Sequence, residues 1–457
     1  MKKNRRDFIK ESALAAAGVA MVPTIVPASV MGKKSGFVPP SDRITLGFIG
    51  AGNQAGNDAR RFLRDERVQI TTICDVNAEG PGYWNGSIAG RIPLMNSVNE
   101  AYTQKFGKDY KATKGFEDFR EVIAMQDLDA VVIETPDHWH AIPVMMAAAA
   151  KKDIYCQKPL SLTIAEGRGM SDAVKKYGVV FQTGSQQRSD RNFRRVCELV
   201  RNGRIGKLQT VTVGLPGGTP DFGKTGDQTD TVPIPKGFNY DLWLGPAPEA
   251  PYCPARTHVN FRWIWDYSGG QVTDWGGHHP DIAQWGMDTE YTGPVRIENV
   301  SSKWADHPVY DTATEFHFEC VYANGVRLIY TSKDGNTGVK FEGIDGHVWA
   351  HRGRHGASSE DIYYSKIAED EIKLYESNDH YRNFIDCVIS RKEPVAPVEI
   401  AHRSVSVAHL GNIAMKLNEN LDWDPKKEKF KGSRAANKML ERPMRAPWDK
   451  VYREHLV

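Results

Sequence analysis

Short, wholly apolar runs alternate with longer stretches of helical period over the first part of the chain, and a strict two-residue alternation takes over later. The run at 44–49, I-T-L-G-F-I, is stopped by glycines, and a second run spans Val68–Cys74. Helices are predicted over 98–106 and 116–125, a strand over Ala130–Ile133, a helix over 141–150, and a strand over Asp153–Cys156. Thr163 and Glu166 have the spacing of a capping box that opens a helix reaching Tyr177. A strand over 179–182 and a helix over 193–201, ended by Asn202-Gly203, complete the alternation, which is that of a doubly wound parallel sheet. Residues 81–97 have no clear period. Past residue 295 the period becomes two: Phe316, Phe318 and Cys320 alternate with Glu315, His317 and Glu319, and Asn324-Gly325 reads as a hairpin turn into Arg327–Thr331. A second domain with a large, mainly antiparallel sheet is therefore expected. Helices return from Asp379, and a basic, irregular tail follows Asp422.

The first apolar run continues into a glycine-rich turn, I-T-L-G-F-I-G-A-G-N-Q-A-G, and makes a strand that turns into a helix as in a dinucleotide-binding Rossmann unit. Gly50 allows the tight turn, Gly52 lets backbone approach a pyrophosphate, and Ala55 is the small residue where helix meets strand. Asn53 and Gln54 sit in the first helical turn, whose free N–H groups and dipole favour phosphate. Asp75, about twenty residues on at the end of the second strand, is placed to hold the adenosine ribose hydroxyls. Its charge would repel a 2′-phosphate and no arginine follows it at once, so the cofactor expected is NAD rather than NADP.

At 457 residues, 40% hydrophobic and 25% charged, the chain can build two sizeable cores. A net charge of +2 with dispersed cations gives no reason to expect nucleic acid or an anionic membrane as partner. The six cysteines have neither zinc-knuckle nor C-x-x-C spacing and are expected as small buried hydrophobes. At the start, Asn4-Arg5-Arg6-Asp7-Phe8-Ile9-Lys10 precedes a soft apolar stretch over 13–26, the layout of a twin-arginine export signal. That stretch is too short, and too broken by Pro23 and Pro27, for a permanent membrane anchor. The expected division is a signal over 1–32, a linker over 33–40, a Rossmann domain over 41–184, a substrate and oligomerisation domain over 185–420 and a tail over 421–457. Within the second domain, the Gly/Pro-rich, aperiodic segment 214–254 is too long for a plain connection and reads as an ordered arm. The translocase as export partner, a periplasmic location and a homo-oligomer, dimer or tetramer, complete the expectation.

Ligands of an open α/β sheet sit beyond the carboxyl ends of its strands. Thr135, Pro136, His138 and His140, after the fourth strand, are therefore expected beside the nicotinamide half, with no metal site assigned to the histidines. Gln157 and Lys158 follow the fifth strand at the same edge. Oxidising a carbinol needs a base for the hydroxyl proton; a buried lysine or a histidine held by a carboxylate would serve. Asp274 and His278 stand four apart, on one face if helical.

The glycine turn, Asp75, T-P-D-H-W-H, x-K-P and D-x-x-x-H-x-x-D together resemble the glucose–fructose oxidoreductase / inositol dehydrogenase / MocA family over residues 41 to 420. The resemblance implies that Lys158 and His278 are catalytic, that Asp274 orients or assists the histidine, and that Asp281 contacts substrate or supports the site. Arg188, Trp275 and His279 are expected to bind substrate. The family's usual E-K-P is here Gln157-Lys158-Pro159, which removes a charge beside the lysine. A sugar, sugar derivative or polyol is the implied substrate; the same family also contains glycosidases that use NAD transiently.

Overall fold

The computed structural model describes residues 42–107, 109–335 and 337–457. The export signal and the 33–40 linker lie outside the described residues. In the first domain β1 (Ile44–Ile49), α1 (Asn53–Phe62), β2 (Val68–Cys74), α2 (Arg91–Phe106), β3 (Lys114–Phe116), α3 (Phe119–Ala124), β4 (Ala130–Ile133), α4 (Ala141–Ala149), β5 (Asp153–Cys156), α5 (Ile164–Tyr177) and β6 (Phe181–Thr183) alternate. The six strands are parallel in the order β3-β2-β1-β4-β5-β6. Every residue of β4 and β5 is buried, which is why β4 reads as an unbroken apolar run and β5 as one led by Asp153, which pairs with Arg391. The Thr163/Glu166 capping box opens α5 as expected. Two boundaries shift: α2 begins at Arg91, inside the segment without a period, and 116–125 divides into the end of β3 and the short α3.

After α6 (Arg191–Arg201) comes β7 (Leu208–Gly214), then the long arm with α7 (Tyr240–Leu244), the short α8 (Gln271–Asp274) and α9 (His279–Met287). There follow β8 (Arg296–Trp304), β9 (Ala313–Val321), β10 (Arg327–Thr331), β11 (Gly338–Gly343), β12 (His347–His351), β13 (Arg354–Ala357), α10 (Glu360–Tyr364), α11 (His380–Ser390), α12 (Val398–Leu417), β14 (Leu421–Asp424), β15 (Lys429–Lys431), α13 (Arg434–Lys438) and α14 (Trp448–His455). Nine strands form the second sheet, β13-β12-β11-β7-β10-β9-β8-β14-β15, antiparallel except where β10 meets β7. Phe316, Phe318 and Cys320 of β9 face the core, against α6, α9 and α12. All six cysteines are free and buried.

The end of the chain corrects the expectation. There is no irregular tail: Leu421, Trp423 and Phe430 turn inward from β14 and β15, which extend the second sheet. The first domain is not closed at residue 184 either. Tyr381 and Phe384 of α11 pack edge-on against Phe62 at 5.2 and 6.2 Å, and Trp448 of α14 stands 4.6 Å from Trp139. The 214–254 segment is an ordered arm: Phe238, Tyr240, Trp243 and Tyr252 form a small core with Trp263 and Tyr267.

Candidate active site

One large cleft of ≈ 1480 Å³ runs from the glycine turn to the second domain. At its first end, Gly50 has φ +94, and a Cβ there would lie 2.6 Å from the Glu134 carbonyl carbon, so only glycine lets β1 turn this close to the end of β4. Helix α1 starts at Gly52 with no side-chain cap, and Gly52, Asn53 and Gln54 line the cleft, which presents first-turn N–H groups to an anion. Asp75 accepts from Ala51 N–H at 2.6 Å and Asn77 N–H at 2.7 Å; each oxygen keeps a further lone pair for a ribose hydroxyl. Burial pushes its pKa up against those two bonds. Arg91, not singled out from the sequence, donates to the Asp75 carbonyl at 2.9 Å and pairs with Glu117 at 3.7 Å. Uncapped helix, glycine turn and strand-end acid together fit a dinucleotide.

Beneath the turn lies a polar cluster. Asp58 of α1 is fully buried and accepts from Gln54 at 2.6 Å, Tyr381 at 2.8 Å and Gln157 at 2.7 Å. Both buried oxygens of Glu134 face this group, without an ordinary hydrogen-bond donor. Two carboxyls in contact satisfy each other only by sharing a proton, and burial drives both pKa values up. This accounts for Gln157 in place of glutamate: its amide supplies the N–H that Asp58 needs, where a carboxylate would be a third acid in a dry site.

At the other end, Lys158 donates to the Asp274 carbonyl at 2.9 Å and to its carboxylate at 3.0 Å. Arg262 donates to the same carboxylate oxygen at 3.0 Å. Burial pushes Asp274 up, but the two cations outweigh it and hold the group at about 2; burial lowers the pKa of Lys158, which Asp274 opposes. A Cβ on Gly277 would come within 2.6 Å of the Lys158 Cβ, so the glycine lets the lysine stem lie against this segment. The helix breaks there. Asp274 ends α8 and His278 precedes α9, so the two do not share a helical face, and Asp274 serves Lys158 and Arg262 rather than the histidine. His278 lines the cleft with Nδ1 buried and unpartnered; burial, then the Lys158 and Arg352 charges, push its pKa well below the usual value, so it is a neutral imidazole.

Several expected site residues are elsewhere. Thr135, Pro136, Gln157 and Trp275 line the cleft, but His138 and His140 do not. His138 bonds the Trp243 carbonyl at 3.0 Å, while His140 spans the carbonyls of Thr135 and Pro159 at 2.9 and 2.8 Å, tying the loop after β4 to that after β5. Arg188 is 2% exposed and forks onto Asp281 at 2.6 and 2.9 Å, with Glu290 at 2.7 Å. Arg188 and Asp281 thus brace the second domain's core rather than touch substrate. His279 is buried behind Trp275, 3.2 Å from the Gln187 side chain. Residues missed in the sequence include a cover over the glycine turn: Trp84 N–H donates to Asn53, Trp84 stacks on Phe222 of the arm at 4.1 Å, and Tyr83 stacks on His258 at 4.4 Å. Arg262 and Arg352 were missed too, since neither lies in a motif.

Two models of one oxidoreductase family match: its NAD-binding Rossmann fold over residues 91–185 and its C-terminal alpha/beta domain over 189–450. A Shewanella pealeana glycosyl hydrolase family 109 protein is 27% identical over 46% of this chain and 45% of its own length. A Thermotoga maritima myo-inositol 2-dehydrogenase is 35% identical over 26% of this chain and 36% of its own. The chain thus spans less than half the length of these curated relatives. The crystal structure of an aldose–aldose oxidoreductase from Caulobacter crescentus, complexed with glycerol, superposes with a TM-score of 0.57 at 16% identity, over 83% of this chain and 99% of that one; at that identity the likeness establishes the fold.

Proposed function

Because the chain belongs to the Gfo/Idh/MocA oxidoreductase family and has its NAD-binding fold, we propose that it oxidises or reduces a sugar, sugar derivative or polyol at this cleft. The observation that carries the reading is that one cavity joins Gly52 and Asp75 at one end to Lys158 and His278 at the other. Gly50, Gly52, Asn53, Gln54 and Asp75 would hold the adenosine and pyrophosphate, and Thr135, Pro136, Gln157 and Lys158 the other half. When bound, NAD supplies the two-electron redox chemistry. His278 takes the hydroxyl proton, since it lines the cleft as a neutral imidazole. Lys158, held by Asp274, donates to the same oxygen and keeps the carbinol pointed at the cofactor. Lys158 and His278 can exchange these roles, because burial lowers the pKa of both.

Export belongs to the same reading. The twin-arginine pattern at Arg5-Arg6 would carry the folded chain, as a monomer or assembled into its dimer or tetramer, through the translocase to the periplasm. Free NAD is cytoplasmic, so the cofactor must be loaded first and kept. The cover formed by Tyr83, Trp84, Phe222 and His258 favours slow release. A cofactor that cannot exchange requires a redox-neutral cycle: one sugar oxidised and a second carbonyl compound reduced. A second reading, transient oxidation that cleaves a glycoside, is favoured by the family 109 relative. Periplasmic protein purified without added NAD is expected to carry close to one nicotinamide per chain. Product mass then separates oxidation from cleavage, and empty protein active only with added NAD would refute retention.

A further inference from the structure

The substrate half of the cleft carries more positive charge than its own acids neutralise. Lys158, Arg262 and Arg352 all line it, and Asp274 is the one carboxylate paired with any of them among the described residues. Arg262 spends Nε on Asp274 and Nη1 on the Val259 carbonyl at 3.1 Å, and its Nη2 makes no hydrogen bond within the described chain. Arg352, in the turn between β12 and β13, forms no ion pair or side-chain hydrogen bond among the described residues. It lies over the Trp275 ring at 4.8 Å, a stacking contact that orients the guanidinium without using its N–H donors.

The other acids along the cleft do not fill this deficit. Asp137 is buried and bonded by Ser268 Oγ at 2.6 Å, forms no ion pair with these cations among the described residues, and is only partly ionised at neutral pH because burial raises its pKa to about 7. Asp190 caps α6 through the Asn192 N–H at 2.7 Å. Asp75, Glu117 and Glu134 stand after β2, β3 and β4, at the glycine-turn end. Even with Lys158 neutral, two guanidinium groups face one carboxylate. A neutral sugar would leave Arg352 with water alone, whereas a carboxylate or phosphate ester matches its planar fork with two charge-assisted bonds.

We propose that the substrate is an acidic carbohydrate, a sugar bearing an anionic group that Arg352, with Arg262 beside it, clamps at the second-domain wall of the cleft. The inference rests on the oxidoreductase reading and deepens it. Binding to the holoprotein is measured by calorimetry, and reduction of the bound nicotinamide by its near-ultraviolet absorbance. The probes are glucuronate and galacturonate, their methyl esters, glucose, galactose and glucose 6-phosphate. At least one acid is expected to bind about tenfold or more tighter than its ester. Glucuronate against glucose 6-phosphate tells carboxylate from phosphate. Arg352→Gln, at an exposed turn, is expected to cut the acid-over-ester ratio of kcat/KM by about 10- to 100-fold. Esters and parent sugars that bind as well as the acids, or an unchanged ratio in Arg352→Gln, would overturn the proposal. Neutral sugars that reduce the nucleotide while acids fail to bind would overturn it and leave the oxidoreductase reading standing. Acids that bind through Arg352 without ever reducing the nucleotide would support the clamp and sink that reading instead.

Discussion

Asp274→Asn keeps the shape of the side chain and removes the anion that faces both Lys158 and Arg262. Each cation lies 3.0 Å from its Oδ1, and the carboxylate side chain is only 16% exposed, so solvent screens the pairing weakly. The fall of its pKa from 3.8 to about 2 corresponds to a stabilisation on the order of 2.5 kcal/mol, at roughly 1.4 kcal/mol for each tenfold change in acidity. Because the folded value lies below the unfolded one, this stabilisation is complete above about pH 4 and disappears as the pH falls through about 2. Thermal unfolding at neutral pH should therefore show the variant melting about 3 °C lower, with the gap narrowing as both proteins are taken toward pH 3. Lys158 also loses the group that raised its pKa, so the alkaline limb of the pH–rate profile, set by loss of the proton that Lys158 donates, should move to lower pH. A variant as stable as its parent at neutral pH, a gap independent of pH, or a limb that moves upward would refute the electrostatic account of this triad.

Lys158→Ala and His278→Ala should each fold, by circular dichroism, yet lose about 10²-fold or more in turnover, the range for a general acid–base group; full activity in both would remove the proposed site. Asp75→Ala should narrow the preference for NAD over NADP in equilibrium binding, since it removes a ribose acceptor and the charge that would repel a 2′-phosphate; an unchanged ratio means that another residue decides it. Gln157→Glu should destabilise the fold by about 2 kcal/mol, read from denaturant unfolding, because it strips Asp58 of a donor and adds a third acid. Adding Asp58→Asn should recover most of that loss, and a double variant no better than the single one would exclude the shared-proton cluster.

The parallel sheet was legible because buried β4 is a short pure apolar run and β5 nearly one, each bounded by turns, and β9 and β10 because one face is wet. The C-terminal strands were not, although L-D-W-D and K-F-K do alternate. Runs of three or four residues set among lysines give too little period to count. At the site, motif position located Lys158 and His278, but charge alone could not separate clamps from contacts. Arg188 and Asp281 satisfy each other inside the core, 93 residues apart in sequence, which no spacing rule reports. Arg352 reaches the cleft only because the β12–β13 turn folds over Trp275.

The most direct measurement of the central claim compares nucleotide-loaded protein with the same protein stripped of nucleotide, each mixed with a panel of neutral and acidic sugars, following nicotinamide absorbance and product mass together. The account predicts that at least one sugar reduces the bound cofactor in loaded protein, that stripped protein forms no product, and that Lys158→Ala slows the signal by about 10²-fold or more. Equal product formation by the stripped protein, or a loaded protein whose nicotinamide no sugar reduces, would contradict it.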